Sequence, residues 1–264
     1  MNAPQEIDKN KREFTEMGLL EHLGELRNRL IVVAAAVILS SCVVYAYSSE
    51  ILEILFRPFY EHFKGTGGML IGTGPAEAFM LKIKVAMFVG VLISSPVIFL
   101  QIWLFITPGL YDHEKKLVIP FVASTTFLFL AGVVFCNEVV FPFAFDFFKE
   151  QYASIPHLTP AIKVTEHLAM IIQGLLGFGI VFEMPVLAFV LAKLGLIDHK
   201  MMLSGSRYAV VIIMIISAVF TPPDVVTMFL MAMPLCLLYA LSILIVRFTS
   251  PREILDEEGN PPQS

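Results

Sequence analysis

Apolar residues gather into six long runs along the chain, and only the fourth run is interrupted by a charged side chain. Because about 20 residues cross the hydrocarbon core of a bilayer as a helix, the runs predict six membrane-spanning helices. The spans are expected at about 30–49, 79–107, 117–137, 166–192, 208–223 and 225–246. They predict one membrane domain over residues 14–249, between a polar tail at 1–13 and a disordered acidic tail at 250–264.

The segments around these runs carry a pattern of their own. Apolar positions recur at helical spacing from Phe14 to Leu30, which predicts an amphipathic helix that lies at the membrane surface and leads into the first span. The loops at about 50–84 and 138–167 are long enough to pack into a cap, with a helix break expected at Pro58.

The fifth run has only 16 residues. As a helix it would rise about 24 Å against a core of roughly 30 Å, so a thinned bilayer or a sunken hairpin tip is expected there.

Composition and charge narrow the functional class. The chain is 57% hydrophobic and 16% charged, which excludes an ordinary soluble domain, and its net charge of −5 with no basic stripe argues against nucleic acid. Twelve of the 18 Lys and Arg fall on one side of the predicted spans, which places both termini in the cytoplasm. Nucleotide, metal and nucleophile motifs are missing, so the sequence predicts no metal, no cofactor and no enzymatic activity.

Glu183 is the only charged residue between Leu168 and Ala192. A charged side chain at the bilayer centre costs about 2.5–3.5 kcal/mol on insertion scales, so this acid is expected to face other helices, a water-filled cavity or a partner. Pro185 has no N–H for the carbonyl of Val181, which predicts a kink one turn below the acid. The alternative is a buried acid that only hydrogen-bonds a neighbouring helix.

Further acids are predicted next to the membrane. Two short clusters on the cytoplasmic side, Glu21–Arg27 and Leu110–Lys116, contain several acids, and a carboxylate there can accept the two parallel N–H groups of a guanidinium. The alternative for each acid is a solvated rim. Asp224 follows Thr221-Pro222-Pro223 between the last two runs, either as a polar group in a thinned membrane or as a helix N-cap.

Several of these segments together resemble a known family. The run His22-Leu23-Gly24-Glu25-Leu26-Arg27-Asn28-Arg29-Leu30 is similar to the HLxELRxRL opening of the TatC family, the core of the twin-arginine protein translocase. The resemblance continues in an ordered series along nearly the whole chain. It includes Ser95-Pro96 through Gln101, Trp103 and Phe105, then Pro108–Glu114, Phe178–Pro185 and Thr221–Asp224.

The resemblance implies an all-α, concave six-helix membrane protein with an outer loop cap, to which Pro58 contributes. It implies a receptor for twin-arginine signal peptides on folded cargo, with Glu25 and Glu114 holding the arginine pair and Arg27 and Phe105 nearby. Glu183 and Asp224 are then the candidate intramembrane contacts to a partner. The implied partners are the single-span subunits TatA and TatB, with further copies of the chain in the complex. Transport would be driven by the proton-motive force across the cytoplasmic membrane of a bacterium.

Two positions depart from the family pattern. Met228 replaces a polar residue near the start of the sixth span, and Asn137 stands where an aromatic residue is frequent. Two other functions stay open from the residues alone. One is a proton-coupled small-solute transporter with Glu183 as its carrier carboxylate, and the other is a structural assembly subunit in which none of the acids matters beyond folding.

Overall fold

The computed structural model describes residues 19–64, 67–106, 118–220 and 225–249, and almost all of this part of the chain is helical. In chain order the elements are α1 (Leu19–Tyr45), α2 (Ser48–His62), β1 (Met69–Ile71), α3 (Glu77–Ile106), α4 (Val118–Phe135), a π-helical turn (Cys136–Val140), α5 (Phe141–Ala153), β2 (Ala161–Lys163), α6 (Val164–Phe182), α7 (Met184–Lys193), α8 (His199–Phe220) and α9 (Val225–Thr249).

Six helical segments among the described residues are long and apolar enough to cross a membrane. They are formed by α1, by α3, by α4 with α5, by α6 with α7, by α8 and by α9. The predicted all-α, six-span membrane fold is therefore confirmed. The described part of the predicted amphipathic segment is continuous with the first span, because α1 runs from Leu19 to Tyr45 without a break.

The third span is longer than the sequence predicts. The helix does not end at Asn137 but continues through the π-helical turn into α5, which ends at Ala153. A π-helical turn contains one residue more than an α-helical turn, and it leaves one carbonyl without its usual hydrogen-bond donor. Pro142, which has no N–H to give, follows directly in the first turn of α5. The proline therefore marks an adjustment within the helix, and the interpretation of this segment as a loop was wrong.

Pro58 also lies within a helix, and the predicted break there is wrong. Its ring denies a hydrogen bond to the preceding turn, which costs about 3 kcal/mol in an isolated helix. Phe56 and Phe59 flank it and are buried in the main core, so their burial offsets this cost. Next to α2, the short strands β1 and β2 pair in parallel, with Leu70 opposite Ile162. This ribbon was not predicted from the sequence.

The fourth span is interrupted near Pro185, as predicted, but at Glu183 itself and not one turn below it. α6 ends at Phe182, and the amide of Glu183 donates to the carbonyl of Ile180 at 3.1 Å in a tighter turn. α7 then starts at Met184 with Pro185 in its first turn, the one helical position where a missing N–H costs nothing. Glu183 therefore sits at the junction of two helices within one span.

The fifth span is longer than its uncharged run. α8 has 22 residues because it starts at His199 and includes Lys200 and Arg207. At about 1.5 Å per residue it reaches roughly 33 Å, so helix length alone requires no thinning of the bilayer. Long basic side chains at a helix end can extend to the membrane surface, which explains why the charge-free run underestimates the helix.

Two buried clusters hold the helices together. The larger one joins aromatic side chains of α2, α5 and α6, including Phe59, Phe145 and Phe178. A smaller one lies where the end of α3 meets the start of α4, and there the ring of Trp103 stacks on Phe121 with centroids 5.0 Å apart. The smaller cluster anchors the end of α3 that carries Gln101 and Phe105.

Candidate functional site

Glu25 forms an ion pair with Arg29, one helical turn further along α1. Both Nε and Nη2 of Arg29 donate to the same oxygen, Oε1, with the Nε contact at 2.9 Å. The side chains are about 20% exposed, 19% for Glu25 and 20% for Arg29, so the pair is partly desolvated. The other oxygen, Oε2, is buried and has no hydrogen-bond partner among the described residues. One acceptor of this carboxylate is thus in use and one is unpaired.

Contacts between α1 and α3 define the position of this pair. Arg29 donates through Nη1 to Oε1 of Gln101 at 3.3 Å, and Ser40 donates to the carbonyl of Gly90 at 3.0 Å. Arg29 precedes Ser40 by eleven residues in α1, whereas its partner Gln101 follows Gly90 by eleven residues in α3. The two helices are therefore antiparallel, and their register is constant between these two contacts. Four residues further, the same register places Glu25 level with Phe105.

The structure brings together only part of the predicted arginine-binding set. Glu25 and the partly buried Phe105 lie at the same end of the α1–α3 pair. Arg27 is exposed, with its guanidinium 3.4 Å from Oδ1 of Asn28, and residues two apart in a helix point to different faces. Glu114 lies outside the described residues, as does Asp224 of the predicted partner contact.

Glu183 is buried at the junction of α6 and α7, with 6% of its surface exposed. Neither carboxylate oxygen has a hydrogen bond of normal geometry from the described residues. The neighbouring turn of α6 packs tightly against α4, where Gly132 leaves room for Phe182. The expectation that this acid points away from lipid agrees with its burial, and the two unpaired oxygens leave it able to accept a donor from elsewhere.

Pro58 lies in α2, whose buried face packs on α5 in the larger core cluster. Its carbonyl is 2.7 Å from Nδ1 of His62. Glu77 ties this region to the spans: its Oε1 accepts the hydroxyl of Thr165 at 2.8 Å, and its Oε2 accepts the amide of Gly74 at 3.2 Å. The cap is thus joined to the starts of α3 and α6 by one carboxylate, which the sequence analysis did not single out.

A cavity of about 750 Å³ opens beside the cap. It is lined mainly by aromatic and apolar side chains, together with Lys163, Glu166 and His167. The ring of His167 is 3% exposed and packs against Phe59, with centroids 4.9 Å apart. Its Nε2 has no hydrogen-bond partner in the described part of the chain. Among the described residues, no three His, Cys, Asp or Glu side chains come together as a metal site would require.

Two residues of the Glu25 site were missed from the sequence. Arg29 could have been found, because an acid and an arginine four residues apart on a helix form an ion pair. Gln101 gave no such signal, since its contact with Arg29 depends on the packing of α1 against α3. Spacing within a helix is visible in a sequence, whereas register between helices is not.

Comparison with known proteins identifies the family. A family model described as Sec-independent protein translocase protein (TatC) matches residues 21–234. The chain belongs to the TatC family. This family consists of protein-transport subunits and not of enzymes. With its six apolar helices, the chain is a multi-pass membrane protein of a bacterial Sec-independent translocase.

Individual TatC relatives are similar over nearly their whole length. The Sec-independent protein translocase protein TatC of Campylobacter jejuni is 41% identical over 233 residues, which are 88% of this chain and 95% of that protein. The TatC protein of Aquifex aeolicus is 36% identical over 237 residues, which are 90% and 98% of the two chains.

Two solved TatC structures have the same fold. A crystal structure described as twin arginine translocase receptor TatC has a TM-score of 0.76 at 36% identity, covering 87% of this chain and 99% of the other. A second crystal structure, in DDM, has a TM-score of 0.79 at 36% identity and covers 86% and 100%. The concave TatC architecture predicted from the motifs is therefore the architecture of this chain.

Proposed function

We propose that this chain is the signal-binding core of a twin-arginine translocase, and that it recognises paired arginines of folded cargo at its cytoplasmic face. The observation that carries the proposal is the state of Glu25. Its Oε2 is buried at the end of the α1–α3 pair, level with Phe105, and has no hydrogen-bond partner among the described residues. A buried acceptor without a donor costs about 1–3 kcal/mol, and an arriving guanidinium would remove that cost with a charge-assisted hydrogen bond.

The second arginine is assigned to Glu114, with Arg27 and Phe105 bordering the site. The solved relatives are described as receptors of the twin-arginine translocase, and the same role is proposed for this chain. Both termini are placed in the cytoplasm by the excess of Lys and Arg on that side. The site then faces the compartment in which cargo folds.

The partners are proposed to be single-span subunits of the TatA and TatB type, together with further copies of this chain. Glu183 supports a partner contact because neither of its buried oxygens accepts a hydrogen bond of normal geometry in the described part of the chain. Asp224 is assigned to the same role. Transport is assigned to the proton-motive force because the resemblance to the TatC family implies it, and the sequence has no nucleotide-binding motif that would argue otherwise.

Site-specific crosslinking tests the proposal. A twin-arginine signal peptide with a photoreactive group beside its arginines is added to membranes that contain the unmodified protein, Glu25→Ala, Glu114→Ala or the double variant. Glu61→Ala is the matched control, because Glu61 also pairs with an arginine four residues away but is exposed in α2. Melting in detergent shows that each variant is folded.

Loss of the crosslink in the folded Glu25 and Glu114 variants, and its retention in the Glu61 variant, is the expected result. Equal crosslinking in all variants would show that the two acids do not bind the peptide and are only solvated residues at the membrane rim. No crosslink to the unmodified protein would favour the proton-coupled solute transporter, for which the buried carboxylate of Glu183 is the supporting observation.

A further inference from the structure

We infer, on the basis of the proposed function, that Arg29 and Gln101 are positioning residues that orient Glu25 so that only its Oε2 receives a signal-peptide arginine. Recognition at this acid is then end-on through one oxygen. The alternative, a bidentate fork on both carboxylate oxygens, is the usual way in which a free carboxylate binds a guanidinium.

Oε1 of Glu25 is already occupied by Arg29. Nε and Nη2 of Arg29 both donate to Oε1, and neither donates to Oε2. An incoming guanidinium would have to displace Arg29 in order to bind both oxygens. Because Oε2 is unpaired in the described part of the chain, it can accept one N–H without breaking any contact of Arg29.

Gln101 supplies the second step, since it connects the ion pair to the neighbouring helix. Its Oε1 accepts Nη1 of Arg29 at 3.3 Å, so the guanidinium is held from both α1 and α3. Glu and Arg side chains each lose considerable rotamer freedom when they are ordered. Here that loss occurs during folding, before any peptide arrives, and this preorganisation favours binding.

The charge of the pair supplies the third step. Glu25 and Arg29 together carry no net charge, so the pair attracts a distant cation only weakly. Binding at Oε2 therefore depends on one short-range hydrogen bond to a buried atom, for which the weakly hydrated guanidinium of arginine is easier to desolvate than the strongly hydrated ammonium of lysine. The arrangement predicts that Arg29 and Gln101 contribute to the preference for arginine over lysine.

Two substitutions that conserve charge test the inference. Arg29→Lys keeps the positive charge but loses the fork, and Gln101→Met keeps the side-chain length but loses the acceptor. The full-length protein in nanodiscs is titrated with two fluorescent signal peptides that differ only in having paired arginines or paired lysines. Arg57→Lys is the matched control, because Arg57 pairs with Glu61 at the same spacing in exposed α2.

The expected result is a roughly tenfold weaker affinity for the twin-arginine peptide in both variants, as for the loss of one oriented charge-assisted hydrogen bond. Affinity for the twin-lysine peptide should stay within about twofold of that of the unmodified protein, so the preference for arginine over lysine should be largely lost. The number of binding sites per protein should be unchanged. A general structural defect would instead lower the site number or weaken both peptides alike.

An unchanged preference in both variants would overturn the inference. If Glu25→Ala still abolishes binding in that case, the proposed receptor function stands without it. If the unmodified protein does not bind the twin-arginine peptide, or binds both peptides equally, the receptor proposal itself fails. The two failures are therefore distinguished by the unmodified protein and the Glu25 variant.

Discussion

Gly132 of α4 and Phe182 of α6 touch so closely that no side chain fits between them. A Cβ atom on Gly132 would lie 2.8 Å from Cγ of Phe182 and 2.6 Å from the carbonyl oxygen of Phe178. The relationship is reciprocal, since a Cβ on Gly179 of α6 would lie 2.6 Å from the ring of Phe129 in α4. Small residues that let helix backbones approach are a main source of helix association in membranes.

Gly132→Ala is therefore expected to destabilise the protein by about 1–3 kcal/mol, as overpacking does in a core that cannot yield. The backbone carbonyl of Phe178 is one of the clashing atoms, and it cannot move aside as a flexible side chain would. Thermal unfolding in detergent measures the effect. Gly205→Ala in α8 is the control, because a Cβ there meets nothing within 4 Å. Equal melting of the two variants would contradict the prediction.

Glu77→Ala is expected to loosen the cap while the spans stay folded. The substitution removes the acceptor of the Thr165 hydroxyl and of the amides of Thr73 and Gly74. Hydrogen exchange should accelerate at those two amides, because they lose the carboxylate oxygen that accepts their hydrogen bonds. Glu166→Ala provides the control, since this acid forms only an exposed ion pair with Lys163 at 3.5 Å. Protection that is unchanged at the two amides would count against the role of Glu77.

The loop before α8 contains a pH-dependent contact. Burial tends to raise the pKa of Asp198, but hydrogen bonds from the amide and ring of His199 outweigh it, and the pKa is lowered overall from its ordinary 3.8. A lowered carboxyl pKa stabilises the folded state above the ordinary value, and this contribution is lost as the pH falls through the folded-state value.

The expected observation is that Asp198→Asn flattens the decline of stability below about pH 4. Melting temperatures of the variant and the unmodified protein are compared between about pH 5 and about pH 3. Glu53→Gln, a change at an exposed acid of α2, serves as the control. Parallel curves for Asp198→Asn and the unmodified protein would show that the contact with His199 contributes nothing.

Much of the fold could be predicted from the sequence because a bilayer imposes a simple rule on it. Apolar length determined the six spans, and Pro185 predicted an interruption of the fourth span, although one turn below Glu183 and not at it. Helix ends were predicted less well. The predicted third span ends at Asn137 and the predicted fifth span begins at Tyr208, because charges and prolines predict boundaries although the helices continue through them.

The candidate site, like the fold, could be predicted from the sequence only in part. The i to i+4 spacing of Glu25 and Arg29 is visible in the sequence, although it was not used. The contact with Gln101 and the close approach at Gly132 depend on helix packing, which neither composition nor periodicity encodes. The roles of Arg27, Phe105 and Pro58 rest on family resemblance and stay predictions, as do those of Glu114 and Asp224 outside the described residues.

Glu183→Leu is expected to make the isolated protein more stable and less able to associate with its partner. The substitution removes two buried carboxylate oxygens that accept no hydrogen bond of normal geometry in the described part of the chain, and a buried polar group in that state costs about 1–3 kcal/mol. A leucine occupies a similar volume in the same apolar surroundings. The melting temperature in detergent should therefore rise, and copurification of a single-span partner should fall.

Glu183→Gln separates the partner contact from proton transport. An amide keeps an acceptor for a partner's donor but cannot carry a proton, so association should be largely retained in this variant if the acid serves the partner contact. Export of a twin-arginine cargo would be measured in the same membranes. Retained association with retained export is expected for a contact residue. Full association with abolished export would instead make Glu183 a proton carrier that export requires.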